Sequence, residues 1–246
     1  PDYGKYEEYS EANYETNISD FQLVSYILGR CATVDEVKAE IGRVHIHGFD
    51  PRSSTVHWRF AEPSGRQIVL EIIDGKCIFY ENNLGVLTNS PSFDWQLTNL
   101  NNYVNLLPGR TEPHTLGNMS LSSFGGGSAM IGLPGDFTPP SRFVRAAFFQ
   151  STAPQKPDAE GSVFTAFHIL GSMEIPIGAQ FPVDETPADI PSATQCTCVT
   201  DMSGLRFYYR SMYDGGIRCI DLKEIDFKKI GLKSEPLVPS KKEFVH

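Results

Sequence analysis

The sequence is short of cysteine, short of positive charge and without any long apolar run. Its five cysteines, Cys31, Cys77, Cys196, Cys198 and Cys219, are too few, and odd in number, for a disulfide-built scaffold in a chain of 246 residues. They favour a reducing compartment, so the cytoplasm is the expected location. Lys and Arg number 21 against 30 Asp and Glu, a formal net charge of −9. A surface of that sign repels phosphate backbones, and no basic stripe offsets it, so nucleic acid is not an expected partner. No window of about 18 uninterrupted apolar residues exists, so no membrane span is encoded. The chain begins Pro1-Asp2-Tyr3, with neither Met nor a leader pattern, and reads like a cut made inside something longer.

What is present fits a folded protein. Hydrophobic residues make up 40% and charged residues 21%, wrong for a disordered chain. The length suffices for one large core, and a single domain over 1–246 is expected, with no internal repeat.

The first fifteen residues, rich in Tyr and Glu, read as a surface loop. Ile18–Gly29 is predicted helical, with Phe21, Val24, Ile27 and Leu28 as its inward stripe. Thr33-Val-Asp-Glu36 has capping-box spacing, and a second helix to Ile41 would bury Val34, Val37 and Ile41. The period then shortens to two. Thr55–Ala61, Gln67–Ile73 and Lys76–Tyr80, joined by turn residues, predict an antiparallel meander, and Gly85–Asn89 a short fourth strand. Phe93–Leu106 reads as a helix with Trp95, Leu97, Leu100, Val104 and Leu106 available for burial. Leu107–Pro140 has little periodicity, and a loop of that length is usually functional or an assembly element. Helices are expected at Ser141–Ser151 and Gly161–Met173, then a connector from Pro176 to Pro191. Strands are expected at Thr194–Thr200, Leu205–Met212 and Ile217–Leu222, and a polar surface tail at Lys233–His246. Helices, meander, helices, meander is an α+β order. Two antiparallel sheets with helices outside them make a four-layer α–β–β–α sandwich.

Few constellations carry chemistry. His45-x-His47 with His57 nearby lacks a Cys or carboxylate at ligand spacing, so a polar strand edge is the better reading than a metal site. Cys196-x-Cys198 is too tight for a zinc knuckle and reads as two small core residues. Gly125-Gly-Gly127 lacks the Lys-Ser/Thr of a phosphate loop. No metal or cofactor is expected. Two segments resist a purely structural reading. Thr88-Asn89-Ser90-Pro91 places an amide before a turn, where it either closes that turn or donates toward a cavity. Ser141-Arg142-Phe143-Val144-Arg145 puts an arginine in a first helical turn, against the helix dipole. Arg142 therefore needs a partner, either a carboxylate or a reacting site.

These segments carry a resemblance. The run from Gly85 through Thr88-Asn89-Ser90-Pro91 and Phe93-Asp-Trp-Gln96 to Tyr103 resembles the signature of the choloylglycine hydrolase family, the bile salt hydrolases and penicillin V acylases. Gly132-Leu-Pro-Gly-Asp136 followed by Ser141-Arg-Phe-Val-Arg-Ala146 is similar to a second family block. Phe207-Tyr-Tyr209, Tyr213-Asp214 and Ile220-Asp-Leu222 resemble its closing strands.

The resemblance implies an N-terminal-nucleophile hydrolase with the α–β–β–α sandwich, from a bacterial source, cleaving linear amide C–N bonds without metal or cofactor. The expected substrate is a small molecule, a glycine- or taurine-conjugated bile salt, with penicillin V the alternative inside the family. A binding or assembly protein that has lost its nucleophile is the alternative outside it. Asn89 matches the motif asparagine that helps hold the tetrahedral oxyanion, and Arg142 the arginine that supports the nucleophile's region. The family nucleophile is a cysteine at the mature N-terminus, whereas position 1 here is Pro. The chain is therefore expected to be the C-terminal majority of such an enzyme, inactive alone, with a missing N-terminal segment completing the fold. The resemblance further implies a homo-oligomer, in the family often a homotetramer, with Leu107–Pro140 as the candidate contact. It also leaves the periplasm as the alternative location.

Overall fold

A computed structural model describes residues 3–50, 55–156, 158–181 and 193–234. Pro1, most of the expected connector (182–191) and most of the expected tail (235–246) lie outside them. The chain divides into two compact units, Pro1–Thr152 and Ala153–His246.

The first unit is built on an antiparallel sheet of β3 (Trp58–Ala61), β4 (Gln67–Ile73) and β5 (Lys76–Glu81), in that order. The β4–β5 turn puts both Asp74 (φ 49°) and Gly75 (φ 73°) in the left-handed region, the geometry that a two-residue hairpin requires. Central β4 is buried on both faces, as its near-continuous apolar sequence demands. Ile68, Leu70 and Ile72 join the core made with helices α1 (Asp20–Leu28) and α2 (Val34–Ile41). Val69 joins a second core with Val86, Phe93, Phe143 and Ala147. Those residues come from α3 (Phe93–Asn99), α4 (Pro139–Thr152) and the chain before α3.

Helix α2 forms as its sequence specifies. Thr33 Oγ1 accepts from Glu36 N at 3.2 Å, and Glu36 Oε2 accepts from Thr33 N at 3.0 Å. Val34, Val37 and Ile41 are all buried. Helix α1 is also boxed at its start, Gln22 Oε1 accepting from Ser19 N at 3.1 Å, but its phase corrects the sequence reading. Leu23 and Ile27, four residues apart, face the core, while Phe21 and Leu28 are 71% and 76% exposed. The helix carries apolar residues on two faces, so periodicity alone could not choose between them.

Five other features depart from the sequence reading. The first residues are pinned to the sheet rather than loose on the surface: Lys5 N donates to Ile72 O and Gly75 N donates to Lys5 O, both at 2.9 Å. A short β1 (Asn17–Ser19) runs parallel to β2 (His45–His47), a pairing with no local signal. Gly85–Asn89 forms no strand. Asn82 instead folds the chain there, its Oδ1 accepting from Gly85 N and its Nδ2 donating to Val86 O. The helix from Phe93 stops at Asn99 and tightens into a 3-10 turn over Leu100–Tyr103, leaving Trp95, Leu97 and Val104 exposed. Within 107–140 the chain makes a small hairpin of β6 (His114–Leu116) and β7 (Met119–Leu121), almost wholly exposed.

The second unit sets α5 (Ala159–Gly171) beside a sheet of β8 (Cys196–Asp201), β9 (Arg206–Ser211) and β10 (Asp214–Asp221), in the order β10-β9-β8. Asp158 caps α5 by accepting from Gly161 N at 2.6 Å. Val163, Phe167 and Thr197 are buried, and the Arg210 guanidinium lies over the Phe167 ring at 5.4 Å. Cys196 and Cys198, expected in the core, are exposed, as are Cys77 and Cys219. They sit at alternate positions of an edge strand, on the face opposite buried Thr197.

Candidate active site

Asn89 lies between β5 and α3, one residue before the cis Ser90–Pro91 bond. The segment is fixed at several points. Thr88 Oγ1 donates to Pro139 O at 3.0 Å, and Arg59 Nη1 donates to Gly85 O at 2.9 Å. Beyond Asn89, Phe93 N at the start of α3 donates to Glu71 Oε1 at 2.9 Å. Glu71 is fully buried in β4 and also accepts from the Tyr3 hydroxyl, with His57 Nδ1 at 3.4 Å. Burial and this carboxylate push the Tyr3 phenol above its ordinary value. The sequence reading passed over Glu71. Its signal was a lone charge in Ile68-Val-Leu-Glu-Ile-Ile73, because a buried carboxylate must be hydrogen-bonded.

The Ser141–Arg145 block supplies the other side. Asp136 organises the entry to α4, accepting from Thr138 N at 2.9 Å and from Ser141 Oγ at 2.6 Å. These bonds hold its carboxyl at about 2, below the usual range. The two arginines then divide. Arg145 is buried and donates to Pro134 O and Asp136 O at 2.7 and 2.6 Å, bracing the loop. Arg142 donates through Nε to Phe137 O at 3.0 Å and through Nη2 to Asn89 Oδ1 at 2.7 Å.

Asn89 and Arg142 are thus brought together from distant parts of the chain. Arg142 occupies the carbonyl end of the Asn89 amide, and Asn89 Nδ2 donates to nothing among the described residues. Arg142 forms no ion pair among the described residues, so its charge is not neutralised there. Burial and the Arg145 charge push its guanidinium below its ordinary value. The arrangement is an outward amide N–H pair backed by an unneutralised cation, suited to holding negative charge that develops on an oxygen.

The family model for linear amide C-N hydrolases, choloylglycine hydrolase family, matches residues 1–235. The chain belongs to the choloylglycine hydrolase family. The bile salt hydrolase/transferase of Clostridium perfringens is 34% identical over 225 residues, 89% of this chain and 67% of that protein. The penicillin V acylase of Pectobacterium atrosepticum is 30% identical, over 84% of this chain and 53% of that protein. The crystal structure of a mutant conjugated bile acid hydrolase from Clostridium perfringens superposes with a TM-score of 0.82 at 30% identity. It covers 98% of this chain and 74% of that one. Such likeness shows the α+β sandwich fold class of the choloylglycine hydrolases, and membership supports amide hydrolysis as the chemistry.

Neither Cys31 nor Cys198 has the pKa of an activated nucleophile. A reactive thiolate needs a lowered pKa. Burial raises Cys31, and partial desolvation with the neighbouring Cys196 thiol pushes Cys198 up to about 11. The three histidines near the chain's start are engaged separately, His45 Nδ1 with Glu7 Oε2 at 2.6 Å and His47 Nδ1 with Gly48 O at 3.1 Å. His57 faces Glu71 and Tyr3. Among the described residues no three His, Cys, Asp or Glu side chains gather as a metal set. Among them, too, no helix is long and apolar enough to cross a membrane.

Proposed function

We propose that these residues form the oxyanion side of an amidase that releases glycine or taurine from conjugated bile salts. The carrying observation is the 2.7 Å bond from Arg142 to Asn89 Oδ1. It fixes which end of the amide faces outward. In the tetrahedral intermediate the Asn89 N–H would donate to the former carbonyl oxygen, and the Arg142 charge would stabilise the same developing anion. The attacking group would be the α-amine-activated cysteine of the family, which is not among the five here. Both units would belong to one catalytic domain, a reading supported by a family match that runs across them. The protein would work as a homo-oligomer, its exposed hairpin over 114–121 offered as a contact.

The bile-salt reading is preferred to penicillin V on Phe93-Asp-Trp-Gln96 and the long 107–140 segment. A form of the protein carrying the N-terminal cysteine should turn over glycocholate or taurocholate faster than penicillin V. Faster turnover of penicillin V would move the assignment within the family. No turnover of any of the three would favour a binding or assembly role.

A further inference from the structure

The exposed face of the second sheet holds an arrangement that amide hydrolysis does not use. Cys196 and Cys198 alternate on edge strand β8, so both side chains leave the same face. Their sulfurs are 3.4 Å apart, and both residues are exposed. Ser211 and Tyr209 of β9 stand directly opposite them, placing a neutral hydroxyl and an aromatic ring beside the pair.

The spacing selects among the ways two thiols can act together. A disulfide needs the sulfurs at about 2.05 Å and Cα atoms within about 6.8 Å. Residues two apart on a strand are already about 6.6–6.8 Å apart at Cα, the far limit of that range. A single atom bridging both sulfurs asks less of the strand. With arms of about 2.3 Å, the 3.4 Å bite closes an S–X–S angle of roughly 95°. A tetrahedral zinc would spread the same arms to about 3.8 Å and needs further ligands. A trivalent, pyramidal centre suits the narrower angle and needs only two sulfurs and one other substituent.

We propose that Cys196 and Cys198 form a two-thiol clamp for a soft trivalent thiophile of the organic arsenoxide class. The step is a condensation. Both S–H bonds and the arsenic–oxygen bond break, two S–As bonds form, and the oxygen leaves with both protons as water. Arsenic stays trivalent, so no oxidant or reductant is required.

The test is phenylarsine oxide added to the folded chain in excess glutathione, followed by intact mass and peptide mapping. The expected result is one adduct per chain that protects Cys196 and Cys198 together from iodoacetamide. A dithiol such as dimercaptopropanol should strip it, and glutathione should not. Cys196→Ser and Cys198→Ser should each abolish the adduct, while Cys31→Ser and Cys219→Ser keep it. The urea-unfolded chain should bind at least about tenfold more weakly, having lost the preset spacing. No adduct on the wild-type chain, or an adduct mapped to other cysteines, overturns the proposal. The mapping on wild type stands even if a variant fails to fold.

Discussion

Arg142 Nη2 donates to Asn89 Oδ1 at 2.7 Å, joining two side chains 53 positions apart in sequence. Each resolves the other's ambiguity. An arginine in a first helical turn gains an acceptor, and an asparagine before a turn is held with its N–H outward. In the cysteine-bearing enzyme the two should act as a unit. A double-mutant cycle of Asn89→Ala and Arg142→Ala, read in kcat/KM, should give a coupling of about 0.5–3 kcal/mol. Additive losses would mean that the bond does not serve the reaction.

Helix α1 offers a test of phase. Leu23 is fully buried and Leu28 is 76% exposed. Leu23→Ala should destabilise the protein by about 2–5 kcal/mol in urea unfolding. Leu28→Ala should stay within about 0.5 kcal/mol. The reverse order would restore the stripe read from sequence.

Asp136 predicts an acid limb of stability. Its carboxyl is held at about 2, against an ordinary 3.8, by the Ser141 and Thr138 hydrogen bonds. A depressed folded-state pKa adds stability above the unfolded value, lost as pH falls through the folded one. Unfolding midpoints measured from pH 5 to pH 2 should therefore fall more steeply for wild type than for Asp136→Asn below about pH 4. Parallel curves would contradict the assignment.

Purified chain beginning at Pro1 should release no glycine from glycocholate, because none of its five cysteines carries a free α-amine. Turnover from that sample, after mass spectrometry confirms its first residue, would show that another group attacks.

Much of this was legible where a local rule and tertiary packing agree. Thr33 and Glu36 specified α2, and Asp74-Gly75 specified the β4–β5 turn, because each needs only near neighbours. The failures share a cause. The buried face of α1, the unpaired run at Gly85–Asn89 and the pinning of Lys5 to Ile72 are all settled by contacts distant in sequence. The site shows the same division. Asn89 and Arg142 were marked by the family resemblance of their segments, whereas Glu71, a lone charge in an apolar strand, gained its meaning only once Phe93 N and Tyr3 were found on its carboxylate.

The most direct test is steady-state hydrolysis of glycocholate by wild type and Asn89→Ala, both bearing the N-terminal cysteine. Loss of one oxyanion donor should lower kcat by about 10²–10³ with the protein still folded. A folded variant within about threefold of wild type, far short of a lost donor's effect, would contradict the role given to Asn89.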